Sequence, residues 1–432
     1  MKPRPGGTFM QVNFNRQARK LGAGNALARG GPVLALLATA AWTQPALAQR
    51  QAFESRPSGS ERQVDIRATG SLEYDDNVVL NDQRITDGAR GDVIASPGLD
   101  VTLVLPRATG QLYLTGNVGY RFYKRYTNFN REQISLTGGA DQRFASCVVH
   151  GEVGYQRHLT DLSSILIQDT TPALNNTEEA RQYTADIGCG ATYGLRPAVS
   201  YTRNEVRNSL AERRYADSNT NTFTAQLGLT SPALGTVAVF GRMSDSSYVH
   251  RVLPGITGQD GMKSYAAGVQ LERSVANRLH FNGSVNYTEV DPKLASTKGF
   301  KGVGFNVSGD YAGDQYSLQL LASRSPQPSL LLFVGYEIVT AVSANATRRL
   351  SDRIQISLQG SRTWRELASS RLLTNVPISG NDNTSTLFAS ATFRPNRRLS
   401  FVLGAGLQRR TSNTQLYSYS SKRINLSTSL SL

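Results

Sequence analysis

The sequence predicts a transmembrane antiparallel β-barrel of about 18 strands, with short periplasmic turns and long extracellular loops. Three observations predict this fold class: apolar and polar residues alternate with a period of two from about Val64 onwards, the connections fall into two length classes, and the N-terminus resembles a secretory signal. Successive side chains of a β-strand point to opposite faces, so each alternating segment has one apolar and one polar face. Membrane barrels use such strands because only alternate residues contact lipid.

The alternation is most regular at the two ends of the predicted barrel. In the first segment the apolar positions are Val64, Ile66, Ala68, Gly70, Leu72 and Tyr74, and polar residues lie between them. In the last segment Ile424, Leu426, Thr428, Leu430 and Leu432 alternate with Arg423, Asn425, Ser427, Ser429 and Ser431. The mean hydropathy is negative and no stretch after the signal holds ~18 consecutive apolar residues, which excludes transmembrane helices at the sequence level.

The first 48 residues have the three parts of a secretory signal peptide. Basic residues without any acidic residue precede an apolar run at 31–42, and Ala46-Leu47-Ala48 supplies the small residues that a signal peptidase requires. We expect cleavage near Ala48, with Met10 as an alternative start and an amphipathic helix packed on a core as the alternative structure. Residues 49–62 are polar and patternless and predict a flexible periplasmic leader, and residues 63–432 predict the barrel.

The connections between the predicted strands are alternately short and long. Short turns such as Ala145-Ser146 and Ser351-Asp352 alternate with long polar loops such as Asp76–Ser96, Thr160–Arg181 and Arg365–Asn383. Outer-membrane barrels are built this way and have an even strand number, which fits a count of 18. A soluble β-propeller or a two-domain β-sandwich is the alternative, because a propeller has a similar hairpin period.

Aromatic residues near strand ends predict the two girdles at the lipid–water interfaces. These residues are Tyr74, Tyr120, Tyr126, Tyr155, Tyr193, Tyr201, Tyr287, Tyr311, Tyr316 and Trp364. An amphipathic ring is stable there because each half lies in a suitable medium.

A barrel of about 18 strands is wide enough to leave an aqueous lumen. Charged residues on the polar parity are candidates for lining it: Arg67, Glu73, Arg121, Glu152, Arg242, Glu272, Asp310, Glu337, Arg394 and Arg410. Their signs are mixed, so a solvated wall without a dedicated binding site is the simpler interpretation of any one of them. The short leader leaves no room for a plug domain, which argues against an energy-coupled transporter.

Cys147 and Cys189 begin and end two strands that we expect to pair across the Thr160–Arg181 loop. Antiparallel pairing brings both cysteines to the periplasmic end, on the outward parity. A disulfide is one expectation, because the periplasm is oxidising, and two reduced cysteines on a lipid-facing wall are the other.

The sequence predicts no enzyme, cofactor, metal or nucleic-acid site. His150, His158, His250 and His280 lack metal-ligand spacing, and no nucleophile elbow or phosphate loop is present. His158 with Asp161 and Ser163 is the nearest approach to a catalytic triad, and ordinary loop chemistry explains it better.

One set of short motifs resembles the bacterial β-barrel porin 2 family. The motifs are Leu72-Glu73-Tyr74-Asp75-Asp76-Asn77-Val78, then Ser96-Pro97-Gly98-Leu99, then the strand Gly119-Tyr120-Arg121-Phe122-Tyr123. The resemblance implies an outer-membrane conduit encoded with exopolysaccharide genes, of the kind that export acidic sphingan or gellan-type polymers. It implies outer-membrane lipid, an anionic exopolysaccharide and periplasmic or inner-membrane export components as partners, and it transfers no site residues.

These features together lead us to expect a Gram-negative outer-membrane barrel that participates in exopolysaccharide biosynthesis as a passive export conduit. A general diffusion porin for small solutes is the first alternative. A barrel enzyme acting on lipid or polysaccharide is the second.

Overall fold

The computed structural model describes residues 61–80, 90–160, 175–252, 258–276, 278–294, 297–329, 331, 334–369, 381–413 and 418–432. The predicted signal peptide and most of the leader lie outside these ranges. No helix among the described residues is both long and apolar enough to cross a membrane.

The described residues form 18 β-strands and two short 3-10 helices. The first nine strands are β1 (Gln63–Asp75), β2 (Asp92–Arg107), β3 (Gly110–Tyr123), β4 (Arg131–Phe144), β5 (Cys147–Leu159), β6 (Thr177–Cys189), β7 (Gly194–Asn208), β8 (Ser218–Ser231) and β9 (Gly235–Tyr248). The others are β10 (Gly261–Val275), β11 (Leu279–Pro292), β12 (Phe300–Ala312), β13 (Tyr316–Pro328), β14 (Val334–Arg349), β15 (Ile354–Ser369), β16 (Asn381–Phe393), β17 (Leu399–Ser412) and β18 (Tyr419–Ser431). The 3-10 helices, Thr127–Phe129 and Ala211–Ala216, lie in the β3–β4 and β7–β8 loops.

Each strand pairs antiparallel with its sequence neighbours, and β1 pairs with β18, so the sheet closes on itself. The closing register runs from Arg67 opposite Ser431 to Asp75 opposite Arg423. Closure removes the unpaired backbone groups that an open sheet edge exposes, which is the condition for a sheet to cross lipid. The prediction of an 18-stranded transmembrane β-barrel is confirmed.

The alternation separates the two faces of the wall as predicted. Large apolar side chains are exposed on the outward parity, for example Val199 and Tyr201 on β7 and Leu403 and Leu407 on β17. The residues between them face the lumen and are largely Ser, Thr, Asn, Gln and charged residues. We call the second set the inward positions.

Tight turns close the periplasmic end, and one of them depends on glycine. Gly235 follows the β8–β9 turn with φ of +83°, and a Cβ there would collide with the carbonyl oxygen of Glu272 on β10. A side chain is therefore excluded both by backbone conformation and by the neighbouring strand.

Two expectations about the extracellular side need correction. β2 begins at Asp92, inside the predicted Asp76–Ser96 loop, and the β2–β3 register omits Ser96 and Pro97 before resuming at Gly98. Proline has no N–H to donate, so the ladder is interrupted there while the strand continues along β1.

Tyr126 lies in the β3–β4 loop and packs on Phe129, 5.4 Å between ring centroids, instead of joining an aromatic girdle. The two residues belong to an apolar cluster with Val78, Val79, Ile94 and Tyr123, which holds together the extracellular ends of β1 to β4. A second apolar cluster, described below, lies at the extracellular end of β10 to β14.

Candidate functional site: the barrel lumen

The inward positions are mainly polar on every strand, and more of their charged groups are negative than positive. The inward carboxylates of the described strands are Asp65, Glu73, Asp75, Asp92, Asp100, Asp141, Glu152, Glu178, Asp186, Glu272, Asp310, Glu337 and Asp382. The inward guanidinium groups are Arg67, Arg121, Arg131, Arg143, Arg196, Arg242, Arg349, Arg365, Arg410 and Arg423. Carboxylates therefore outnumber guanidinium groups on the inward positions.

Several predicted lumen residues lie in one charged arc that runs along the extracellular half of β14 to β18 and on to β1 and β3. The Nη2 atom of Arg121 lies 3.3 Å from the Glu73 carboxylate, and Nε of Arg423 lies 2.9 Å from Asp75. On β16 and β17, Asp382 and Arg410 form a bidentate ion pair with an Nε–Oδ1 distance of 2.9 Å. Glu337 on β14 lies within electrostatic range of Arg365, Asp382 and Arg410.

A second region, β6 to β9, is rich in hydroxyl groups on its inward positions. Thr220 lies 2.9 Å from Ser246 and Thr222 lies 3.0 Å from Ser244, oxygen to oxygen. Arg242 adds a charge, stacks over the Phe240 ring and donates to Thr224. Such a surface exchanges hydrogen bonds with water and with sugar-like hydroxyls at little energetic cost.

A third region, which we call the acidic wall, consists of Asp100, Asp141 and Glu152 on β2, β4 and β5. Asp100 accepts from the Asn117 amide at 3.3 Å, and Asp141 accepts from Gln111 at 2.7 Å. Glu152 accepts from the Tyr113 hydroxyl at 2.5 Å, and Nδ1 of His150 lies 2.8 Å from Asp141. The carboxylates are thus fixed by hydrogen bonds to uncharged side chains and to His150.

The remaining predicted residues lie closer to the periplasmic end. Arg67 pairs with Asp65 on β1, whereas Glu272 and Asp310 occupy inward positions near the ends of β10 and β12. Arg394 differs from expectation because it lies one residue beyond β16, in a periplasmic turn, where its N–H donates to the Arg353 carbonyl.

The extracellular half of the β13–β14 hairpin leaves the wall and enters the lumen. The β12–β13 register ends at Phe305 opposite Arg324, although β12 begins at Phe300 and β13 continues to Pro328. β13 and β14 stay paired up to Pro328 opposite Tyr336. The hairpin therefore separates from β12 as a unit.

The contacts of β14 show which way the hairpin bends. Tyr336 and Ile338 have outward parity, yet they pack against Met262 and Val290, which are inward residues of β10 and β11. This contact is possible only if the upper part of β14 lies on the lumen side of β10 to β12.

The last residue of β9, Tyr248, and Arg251 just beyond it hold the tip of this hairpin. The Tyr248 hydroxyl donates to the carbonyl oxygens of Ser329 at 2.6 Å and Gly335 at 3.2 Å. Arg251 stacks on the Tyr248 ring and donates to the carbonyls of Ser329 and Val334 and to Asp260. Both anchors escaped sequence analysis, although the two prolines of Ser325-Pro326-Gln327-Pro328 mark a strand that cannot pair fully on both sides.

Cys147 lies opposite Cys189 in the β5–β6 register, at the periplasmic end, with 3.9 Å between Cα atoms. The two sulfur atoms are within bonding distance. The strands thus place the cysteines where the sequence predicts.

The described residues offer little to catalysis or metal binding. No group of three or more His, Cys, Asp or Glu side chains among them is arranged to hold a metal ion. His158 faces Glu178, with 3.9 Å between Nε2 and Oε1, while Asp161 and Ser163 lie outside the described residues.

No family model and no curated protein matches the sequence. Among solved structures, OccK2 (OpdF) from Pseudomonas aeruginosa in complex with glucuronate has a TM-score of 0.46 at 8% identity, covering 86% of this chain and 98% of that one. A BenF-like porin from Pseudomonas fluorescens Pf-5 has a TM-score of 0.46 at 9% sequence identity, covering 86% of this chain and 99% of that one. The siderophore receptor PirA from Acinetobacter baumannii has a TM-score of 0.41 at 7% sequence identity, covering 86% of this chain and 81% of that one. Because these TM-scores are below 0.5, the fold class is established by the chain's own strand pairing.

Proposed function

We propose that this chain is a passive channel of the bacterial outer membrane through which small hydrophilic solutes diffuse. The observation that carries the proposal is the closed barrel with an apolar outer face and a polar inner face on every strand. Lipid contacts stabilise the outer face, and water and solutes can occupy the inner one.

The inner wall has the chemistry that passive transfer requires. Hydroxyl groups of β6 to β9 can replace part of the water shell of a polar solute, and the charged arc lowers the cost of moving an ion away from bulk water. The inward β13–β14 hairpin reduces the cross-section of the extracellular half, which favours small solutes over bulky ones.

Conductance and size exclusion test the proposal. The purified full-length mature barrel in a planar lipid bilayer should give stepwise ion conductance, and proteoliposomes should swell in small sugars and less in larger oligosaccharides. Heat-unfolded protein is the control. A folded barrel without conductance and without sugar uptake would contradict the proposed function.

Export of an anionic exopolysaccharide, together with its periplasmic or inner-membrane partners, remains the second proposal. It is supported by the motif resemblance and by the hydroxyl-lined wall, and the inward hairpin weighs against a thick polymer. A clean deletion strain distinguishes the two functions. Loss of secreted polysaccharide, restored by complementation, would favour export, whereas unchanged polymer with reduced solute uptake would favour the diffusion channel.

A further inference from the structure

We infer that the channel prefers cationic solutes to anionic ones, because the inner wall is net negative although the whole chain is basic. The inference rests on the proposed channel function and names the solute class that it favours. The full chain has a formal net charge of +15, and it stays basic without the six positive charges of the predicted signal peptide. That excess would suggest an anion path if the charges were evenly distributed.

The fold distributes the charges unevenly between the two faces. Every lysine within the described strands, Lys263, Lys301 and Lys422, lies on the outward parity. Lys301 pairs there with the outward Glu289, Oε1 to Nζ 2.6 Å. Arginines supply the inward cations, and the inward carboxylates outnumber them. Ion pairs within the lumen do not change this balance, since each pair removes one charge of either sign.

The acidic wall concentrates the negative excess on one side of the lumen, towards its periplasmic half. Asn117 and Tyr113, which donate to Asp100 and Glu152, are uncharged, so these hydrogen bonds do not cancel the two charges. The nearest basic side chain to Glu152 is His150, with 4.0 Å between Nε2 and Oε2. In the periplasmic half of the lumen, the other charged side chains and His150 on inward positions around the acidic wall are Arg67 and Asp65 on β1, Arg143 on β4, His150 on β5, Asp186 on β6 and Arg196 on β7. Glu73, Asp75, Asp92, Arg121, Arg131 and Glu178 lie on the same strands in the extracellular half.

Charges on a low-dielectric wall around water raise the local concentration of the opposite ion. Rings and patches of Asp and Glu select cations in channels of known mechanism. Arginines of the periplasmic turns, such as Arg353 and Arg394, lie at the mouth and not on the inner wall. The negative lumen therefore decides the sign of the preference along the path.

The reversal potential of the full mature barrel in a planar bilayer under a KCl gradient tests the inference. We expect a sign that reports K⁺ as more permeant than Cl⁻. The Asp100→Asn/Glu152→Gln variant keeps both hydrogen-bond acceptors, and its K⁺/Cl⁻ permeability ratio should fall by about twofold or more at low ionic strength. Glu289→Gln, on the outward face, is the matched control and should leave the ratio unchanged.

The possible results distinguish a failure of this inference from a failure of the proposed channel function. A conducting barrel with a Cl⁻ preference or with no preference would overturn the inference and leave the diffusion channel intact. If the barrel conducts and prefers cations, but the double variant has the same K⁺/Cl⁻ permeability ratio as the wild type, the role of the acidic wall is overturned. A folded barrel that does not conduct would overturn the proposed function and the inference together.

Discussion

At the scale of single residues, carboxylates of the inner wall are held in two ways, by an ion pair with arginine or by a hydrogen bond from an uncharged side chain. Asp382 is held by the guanidinium of Arg410, and the two side chains expose 5% and 7% of their surfaces. Glu152, by contrast, is held by a tyrosine hydroxyl and keeps its charge uncompensated by that contact. The first arrangement contributes to stability and the second to the electrostatic field of the lumen.

Removing one member of the buried pair should destabilise the barrel. Asp382→Asn leaves the Arg410 guanidinium buried without its carboxylate, and we expect a loss of about 2–3 kcal/mol in the free energy of unfolding, since Glu337 lies near enough to compensate in part. Urea unfolding in lipid vesicles, followed by tryptophan fluorescence, measures it. Asp314→Asn, in the exposed Arg278–Asp314 pair that joins two periplasmic turns, is the control and should change little. Equal effects of both variants would contradict the prediction.

The two cysteines should form a disulfide in the exported protein. Thiol labelling of unfolded, unreduced protein should modify neither Cys147 nor Cys189, whereas two labelled thiols would refute the bond. Because 42 residues separate the cysteines, the loop-closure model gives an upper limit of about 4 kcal/mol for its stabilisation. The Cys147→Ser/Cys189→Ser variant and the wild-type protein with reductant should show the same reduced urea midpoint.

At the scale of elements, the β13–β14 hairpin differs from the other hairpins because it leaves its neighbour β12 above Phe305. Inside the lumen, Tyr248 and Arg251 donate to the carbonyls of the tip, at Ser329, Val334 and Gly335. The hairpin is thus a built obstruction with two identifiable anchors.

Weakening one anchor should enlarge the pore. Tyr248→Phe keeps the ring under Arg251 but removes the hydroxyl that serves Ser329 and Gly335, at a cost of about 1–3 kcal/mol for the buried acceptors. We expect a larger and noisier single-channel conductance in planar bilayers. Tyr265→Phe, on the outward face of β10, is the control and should conduct as the wild type does. An unchanged conductance in Tyr248→Phe would show that the hairpin does not limit the pore.

At the scale of the whole molecule, closure between β1 and β18 joins the two ends of the chain and makes every wall residue face either lipid or lumen. Leu426 and Ser427 are adjacent on β18 and lie on opposite sides of that wall. Identical substitutions at the two positions therefore report the two environments separately.

Arginine at the two positions should have opposite consequences. Leu426→Arg places a guanidinium in the hydrocarbon region and should cost about 2–4 kcal/mol in folding into vesicles. Ser427→Arg places it in the lumen, where folding should stay close to wild type while the K⁺/Cl⁻ permeability ratio falls. Urea titration in vesicles measures the first effect and reversal potential the second. A greater folding cost for Ser427→Arg would contradict the assigned faces.

The alternation of residues predicts much of this fold because it is a local property of each strand. It gives the strand number, the two classes of connection and the face of residues such as Arg67, Glu73 and Glu152. It places Cys147 and Cys189 at one end. The same parity also marks Asp100 and Asp141 as inward, although sequence analysis did not select them.

The alternation of residues along a strand does not predict contacts between side chains that are distant in the chain. Asp75 and Arg423 meet across the closing seam, and Arg251 reaches the β13–β14 tip, because the barrel closes and the hairpin bends. No spacing in the sequence encodes either contact.

The sequence by itself determined that this protein is an antiparallel membrane barrel, since period-two alternation is imposed by backbone geometry wherever a strand separates lipid from water. Only the tertiary structure decided what lies inside it. Tyr336 and Ile338 have the outward parity of β14, and yet they pack inside the barrel against the lumen-facing surface of β10 and β11. Parity states which residues share a face of a strand. It does not state what that face contacts once the strand separates from its neighbour. The net charge of the path was decided in the same way, by the side of the closed wall on which each charge lies.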